Sequence, residues 1–176
     1  MAALIFVTGP VRSGKSKYAS ELALELSSLV TVIATCPPDI DEEMSERILS
    51  HRSSRPQHWE TIEESSNVAH TLREIHQIDR VVIIDCLTLM ISSLLIQGQT
   101  EEKILNQVEA IITNARSYNR ATIVVSNEVG WGVVPPTPIG RIFRDTVGRS
   151  HQAIAAQANQ VWLLVCGIPQ LIRKTS

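Results

Sequence analysis

Aromatic residues, excess positive charge, paired cysteines and long hydrophobic runs are all scarce in this sequence, and each shortage excludes something. Aromatic side chains make up 4% of the 176 residues, which leaves few stacking platforms of the kind that single-strand nucleic-acid binders use. Sixteen Lys and Arg against eighteen Asp and Glu give a formal charge of −2. Without a broad positive field to hold a phosphate backbone, no nucleic-acid partner is expected. Cys36, Cys86 and Cys166 lie far apart, without the close spacing of a zinc knuckle or a redox dithiol. All three read as small apolar residues inside a protein of the reducing cytosol. The apolar stretch 87–96 is interrupted by Thr88, Ser92 and Ser93 and falls short of a bilayer, and residues 1–7 are too short for a signal-peptide core. The expectation is a cytoplasmic protein with no membrane span. No internal repeat or low-complexity tail appears.

What the chain does have is enough apolar material, 44% of residues, to bury a sizeable core, so one compact domain over 1–176 is expected. Short runs rich in β-branched residues at 4–8, 30–34, 81–84, 121–126 and 161–165 predict buried strands. Apolar positions at three- and four-residue spacing predict a helix through 17–26, with others over 42–51, 67–75, 87–96, 101–118 and 140–158. Strands alternating with helices argue for an α/β fold with a mainly parallel central sheet flanked by helices. Residues 130–138, dense in Gly and Pro, are expected to form a surface loop near the functional site.

The most specific local signal is Gly9-Pro10-Val11-Arg12-Ser13-Gly14-Lys15-Ser16, which fits G-x-x-x-x-G-K-S and lies between a predicted strand and a predicted helix. Glycines let the backbone wrap closely, and successive N–H groups at the helix N-terminus face anionic oxygens. Lys15 reaches the terminal phosphates of GTP or ATP, and Ser16 is placed to ligate Mg²⁺. The run Val81-Val82-Ile83-Ile84-Asp85 is an apolar strand ending in a carboxylate, the usual way a second acid is delivered to Mg²⁺ in P-loop enzymes. Asp is also a favoured helix N-cap, so Asp85 has a second reading as the cap of the helix that follows.

Between the second and third of these predicted strands, residues 47–60 concentrate Arg47, Arg52 and Arg55 with His51 and His58. Arginine offers planar bidentate donors to phosphate. A neutral imidazole among such charges suits nucleophilic attack on an α-phosphorus, because the cations lower its pKa and stabilise the developing negative charge. From composition alone, a solvated basic helix end with an incidental histidine is an equal reading of His51.

Taken together these residues resemble the bifunctional adenosylcobinamide kinase / adenosylcobinamide-phosphate guanylyltransferase family of cobalamin biosynthesis. The resemblance runs over nearly the whole chain. It is carried by residues 8–16, Ile33-Ala34-Thr35, Asp41-Glu42-Glu43-Met44, Arg47-Ile48, His51-Arg52, Arg55-Pro56 and His58-Trp59 with Thr61 and Glu63. Further on, it is carried by Asp85-Cys86-Leu87-Thr88, residues 126–135, Arg141, Phe143-Arg144-Asp145, Gly148-Arg149 and Gly167-Ile168-Pro169. It implies a P-loop NTPase-like, RecA-like single domain and two reactions. The first is phosphorylation of the aminopropanol hydroxyl of adenosylcobinamide by ATP or GTP. The second is transfer of GMP from GTP to that phosphate through a guanylylated histidine, releasing pyrophosphate.

The resemblance places the covalent guanylyl group on His51. Its nucleotide contacts fall on Gly9 through Ser16, on Ala34, Thr35 and Cys36, on Arg52, Ser53, Ser54 and Arg55, and on Glu63 and Asp85. Glu63 is the kind of carboxylate that reads a guanine edge, although by residue type alone it is an ordinary surface acid. Asn127 and Glu128 stand at the carboxyl end of a predicted strand, where open α/β sheets bind ligands, and read as positioning metal, water or corrinoid, or as a turn and cap. Trp131 and Pro135-Pro136 offer an apolar wall for a bulky corrinoid. Family members are ring-like homo-oligomers, trimers in the best-described case, and the resemblance implies the same here.

Two departures stand out. Gly148-Arg149-Ser150-His151-Gln152 occurs where the family often shows Gly-Arg-x-Asn-Gln, and Ser50 precedes His51 where some members carry a second histidine. Two other readings share the P-loop: a small-molecule kinase without transferase activity, whose turnover would survive His51→Ala, and a regulatory protein that senses GTP without fast chemistry.

Overall fold

The structure is a computed structural model that describes residues 2–36, 55–75, 77, 79–117 and 119–175. Among these, seven strands form one sheet: β1 (Ala3–Gly9), β2 (Val30–Ala34), β3 (Glu60–Glu63), β4 (Val81–Asp85), β5 (Ala121–Asn127), β6 (Gln160–Val165) and β7 (Ile168–Lys174). The helices are α1 (Lys15–Leu26), α2 (Val68–Glu74), α3 (Leu87–Ile96), α4 (Glu101–Ala115) and α5 (Pro138–Gln157). The spatial order is β3-β2-β4-β5-β1-β6-β7. Every pairing is parallel except that of β6 with β7.

All five expected strands are present, and so are the expected helices except 42–51, which lies outside the described residues. Two strands were not foreseen. β3 is four residues long, Glu-Thr-Ile-Glu, with too little apolar sequence to register as a buried run. β7 is exposed along its whole length and carries Pro169 and charged residues, as an edge strand tolerates. Cys166 and Gly167, with φ of 53° and 81°, make the tight two-residue turn that folds β7 back antiparallel on β6.

Strand alternation builds two cores. Leu4 and Phe6 of β1, Val82 and Ile84 of β4, and Val124 of β5 face one side with residues of α2, α3, α4 and α5. Ile5, Val7, Val81, Ile83, Ile123 and Val125 face the other with α1 and Trp59. Ala19 and Ala23 are fully buried on α1, and their small side chains let that helix lie close on the sheet. The caps are local: Thr100 accepts from Lys103 N at the start of α4, with Glu101 and Glu102 in its first turn. Thr137 accepts from Gly140 N ahead of Pro138 at the start of α5.

The expectation for the cysteines holds for Cys86, which is buried. Cys36 is half-buried, and Cys166, at the tip of the β6–β7 turn, is exposed, because a two-residue hairpin turn has no side of its own to bury. No helix of the described residues is long and apolar enough to cross a membrane.

Ile84 sits on the strand that ends in Asp85 and is fully buried between helices and sheet. Ile84→Ala should destabilise the protein by about 2–5 kcal/mol. The loss is read as a lower urea midpoint at unchanged slope.

Candidate active site

The ends of five parallel strands set out the site. In register, Gly9 pairs with Asn127, Ala34 with Asp85, and Ala34 also with Glu63, so one carboxyl-end edge carries all five positions. Ligands of open parallel sheets bind at such an edge.

The segment 9–16 forms the loop that joins β1 to α1. Gly9 has φ of 151°, and a Cβ there would lie 2.3 Å from the Leu164 carbonyl oxygen, so the strand can turn into the loop only without a side chain. Gly14 caps α1 in the left-handed region, φ 94°, with no side chain bonding the helix N–H groups. Those N–H groups are therefore directed at whatever anion the loop encloses. Pro10 O accepts from Ser13 N at 3.3 Å, and Ser13 O accepts from Gly167 N at 3.0 Å. The β6–β7 turn thus braces the loop from outside, a contact that the Gly167-Ile168-Pro169 motif signalled without revealing its purpose. Val11 and Arg12 are exposed at the loop's crest.

Lys15 is buried, and its Nζ donates to Pro10 O at 2.6 Å and to Ser13 Oγ at 3.3 Å. Burial lowers its pKa from the usual 10.5, partly offset by Cys86 and by the Asp85 carboxylate. Asp85 is the centre of the polar network. Its Oδ1 accepts from Ser16 Oγ at 3.4 Å and its Oδ2 from Arg55 Nη2 at 3.1 Å, with both members of the ion pair mostly buried. The cap of α3 is Cys86, with no side-chain bond, so the carboxylate of Asp85 serves the site and not the helix. Burial, reinforced by the neighbouring Asp85 charge, pushes the Cys86 thiol up to about 11 and keeps it neutral.

Thr35 N donates to Asp85 O at 3.1 Å and Thr35 Oγ1 to Cys86 O at 2.6 Å, locking the end of β2 to the end of β4. Ala34 and Cys36 flank this contact. Glu63 is exposed at the end of β3, one strand beyond Ala34. His51, Arg52, Ser53 and Ser54 lie outside the described residues.

Sequence reasoning missed a second cluster. Glu128 N donates to Gly9 O at 2.9 Å, and Glu128 Oε1 accepts from Gly130 N at 2.6 Å. Its Oε2 lies 3.6 Å from His151 Nδ1, and His151 Nε2 lies 2.7 Å from Ser126 Oγ. His151 is buried against the edge of Phe6, and burial lowers its pKa while Glu128 opposes the shift. The sequence had singled out Glu128 at the strand end and His151 as a departure from the family pattern, but not their contact.

A P-loop on a RecA-like parallel sheet, with a lysine, a serine hydroxyl and a strand-end aspartate converging, defines a P-loop nucleotide-binding enzyme. The fold agrees with solved structures: the RadB recombinase matches with TM-score 0.55 at 16% identity, over 92% of this chain and 73% of that one. A type III secretion ATPase of pathogenic bacteria matches with TM-score 0.54 at 11% identity, over 93% of this chain and 51% of that one, so this chain spans about half of its length. The chain belongs to the cobinamide kinase / cobinamide phosphate guanyltransferase family, whose model matches residues 5–172. Among curated relatives, the bifunctional adenosylcobalamin biosynthesis protein CobU of Escherichia coli (strain K12) is 37% identical, covering 94% of this chain and 97% of that protein. The bifunctional adenosylcobalamin biosynthesis protein CobP of Pseudomonas aeruginosa (strain PAO1) is 38% identical over 95% of each.

Binding of a triphosphate needs Lys15 protonated, so GTP affinity should be full below the Lys15 pKa and fall as pH rises through it. Because that pKa is lowered, the fall begins earlier than for an ordinary lysine. Titrating GTP affinity between about pH 7 and about pH 10 should reveal this limb. Lys15→Arg, charged throughout, should flatten it while binding more weakly at neutral pH. The same limb in the arginine variant would assign it to another group.

Proposed function

We propose that one phosphate cradle, residues 9–16, serves two reactions at opposite ends of the same triphosphate. The chain is an adenosylcobinamide kinase and adenosylcobinamide-phosphate guanylyltransferase of cobalamin biosynthesis, with ATP and GTP as substrates. The observation that carries the single-cradle reading is the convergence of Lys15, Ser16 and Arg55 around Asp85 beside the α1 N-terminus.

In the kinase step the substrate hydroxyl oxygen forms a bond to the γ-phosphorus. The bridging P–O bond to the β-phosphate breaks, and the nucleoside diphosphate leaves. Lys15 and the loop N–H groups hold the phosphate oxygens throughout. The hydroxyl of Ser16 and the carboxylate of Asp85 are hard oxygen donors within 3.4 Å of each other, a set that fits Mg²⁺. When bound there, Mg²⁺ neutralises charge on the phosphate oxygens. Arg55, released from Asp85, then becomes a phosphate donor in its own right.

In the transferase step we assign His51 as nucleophile. Its imidazole nitrogen bonds the α-phosphorus of GTP and pyrophosphate leaves. A phosphate oxygen of adenosylcobinamide phosphate then displaces the histidine, giving adenosylcobinamide-GDP. His51 precedes by four residues in the sequence an Arg55 whose guanidinium bonds Asp85. Attack at both phosphorus atoms from one bound pose is not feasible, so the nucleotide or the His51 segment relocates between steps. Arg52, Ser53 and Ser54 are assigned to the phosphates. Glu63 is assigned to the guanine edge, on the strand next to Ala34, Thr35 and Cys36. We place the enzyme in the cytoplasm and treat 1–176 as one catalytic unit.

Incubation with Mg²⁺ and GTP labelled at the α-phosphate should leave acid-labile, base-stable label on wild-type protein and none on His51→Asn. Absence of label from wild type that still binds GTP would remove the transferase half and leave the kinase-only or GTP-sensing reading.

We also read the protein as a homo-oligomer, trimeric as the resemblance implies. Support comes from the edge strand β7, where Ile168, Leu171 and Ile172 are exposed beside Val165. These exposed apolar side chains form a patch that an oligomer would cover. Light scattering should give a mass above 19.5 kDa, and Ile172→Glu should lower it. A monomeric wild type would remove this assignment.

A further inference from the structure

The cluster around Glu128 lies between the phosphate cradle and a stretch of loop that displays large apolar side chains. Trp131, Val133 and Val134 are exposed at 69%, 95% and 61%, and they follow directly on Gly130. Gly130 is held from both sides: its N–H donates to Glu128 Oε1 at 2.6 Å, and its carbonyl accepts from Arg144 Nη2 of α5 at 2.9 Å. A Cβ at Gly130 would lie 2.8 Å from that same Oε1, so any other residue there would push the carboxylate end of Glu128 aside. The backbone N–H of Glu128 meanwhile bonds the carbonyl of Gly9, the first residue of the cradle. One residue therefore ties the root of the apolar loop to the loop that holds the phosphates.

We propose that Glu128 is a positioning residue for the corrinoid acceptor, fixing the apolar surface of residues 131–134 at a set distance from the nucleotide phosphates, and that His151 orients Glu128. The proposal rests on the kinase and transferase reading above.

The chemistry of the relay supports the order of roles. Glu128 accepts only, so we assign the proton of neutral His151 to Nδ1, which faces Glu128 Oε2 across 3.6 Å, longer than a hydrogen bond, and leave Nε2 to accept from the Ser126 hydroxyl at 2.7 Å. A neutral imidazole provides this one-donor, one-acceptor pair, and a side-chain amide provides the same pair. Asn at this position, which the family pattern often shows, is therefore the conservative replacement. Neither residue touches Lys15, Ser16 or Asp85 in any hydrogen bond or ion pair among the described residues. The device is accordingly aimed at the acceptor and not at the triphosphate.

The experiment compares wild type with Glu128→Ala, Glu128→Gln, His151→Leu, His151→Asn, Trp131→Ala and the Glu128→Ala/Trp131→Ala pair. For each, KM for adenosylcobinamide and kcat are measured in the kinase assay, with the GTP dissociation constant and melting temperature alongside. Glu128→Ala and His151→Leu should raise the acceptor KM about 10- to 100-fold, the range expected for loss of a hydrogen bond to a charged group. The GTP dissociation constant should move by less than about threefold, His151→Asn should return KM close to wild type, and the paired variant should cost less than the sum of its single changes. An unchanged acceptor KM in a folded Glu128→Ala overturns the proposal. So does a fall in GTP affinity matching the loss of acceptor affinity, which would make the residue a general brace. If Glu128→Ala does not fold, the isosteric Glu128→Gln together with the His151→Asn rescue decides in its place. Wild-type protein that does not phosphorylate adenosylcobinamide overturns the reading of function as well, an outcome distinct from normal wild-type turnover with an indifferent Glu128 variant.

Discussion

The parallel register of β2, β4, β5 and β1 is the constraint on which the site depends. Because these strands run together and end together, Ala34, Asp85, Asn127 and Gly9 arrive at one edge without any loop having to carry them there. Two packed cores fix the strands from either face, so a shift of one residue in any of them would exchange the side chains of the two cores and disrupt the packing of both. Precision at the edge is therefore inherited from the core. The same register explains why Gly9 must be glycine: the strand on its other side, β6, brings the Leu164 carbonyl into the space a side chain would occupy.

On that edge, Asp85 decides the electrostatics. A carboxylate this well covered needs partners, and it has them in Arg55 and Ser16, with the Lys15 ammonium close enough to feel its charge. These groups come from two places: Arg55 from the segment before β3, and Lys15 and Ser16 from the first turn of α1. Binding of a triphosphate draws on the same groups, so it would exchange one satisfied network for another. This exchange also involves Arg55, which follows His51 by four residues in the sequence and bonds Asp85.

Much of this was legible in the residues, for identifiable reasons. Buried parallel strands are continuous apolar runs, and β1, β2, β4, β5 and β6 were all read that way. The P-loop was legible because its glycines and lysine answer to one chemistry at fixed spacing. β3 and β7 were not, since one is four residues with two acids and the other is an exposed edge whose existence depends on a turn at Cys166-Gly167. Cys166 was misplaced in the interior for the same reason: residue type suggests burial, and only the hairpin decides. The two readings of Asp85, metal-side acid or helix cap, separated only once Ser16 and Arg55 were seen on its oxygens. The Glu128–His151 contact spans two elements far apart in sequence and has no periodic or spacing signature at all.

Strand parity divides the labour at this edge. Gly9, Asp85 and Asn127 continue the set of β1, β4 and β5 positions that packs toward α1, where the helix N-terminus supplies its N–H groups to phosphate. Ser126 belongs to the opposite set, which packs toward α5, and there it meets His151. An enzyme that must present one triphosphate to two different nucleophiles gains from such a division, because each can be held by its own elements while the phosphates stay with α1. Glu128 is where the two sides join, its backbone on the carbonyl of Gly9 and its carboxylate on the loop and helix of the other face. The apolar loop and the phosphate cradle are thus set relative to each other through contacts of Glu128 that reach the cradle only at the carbonyl of Gly9.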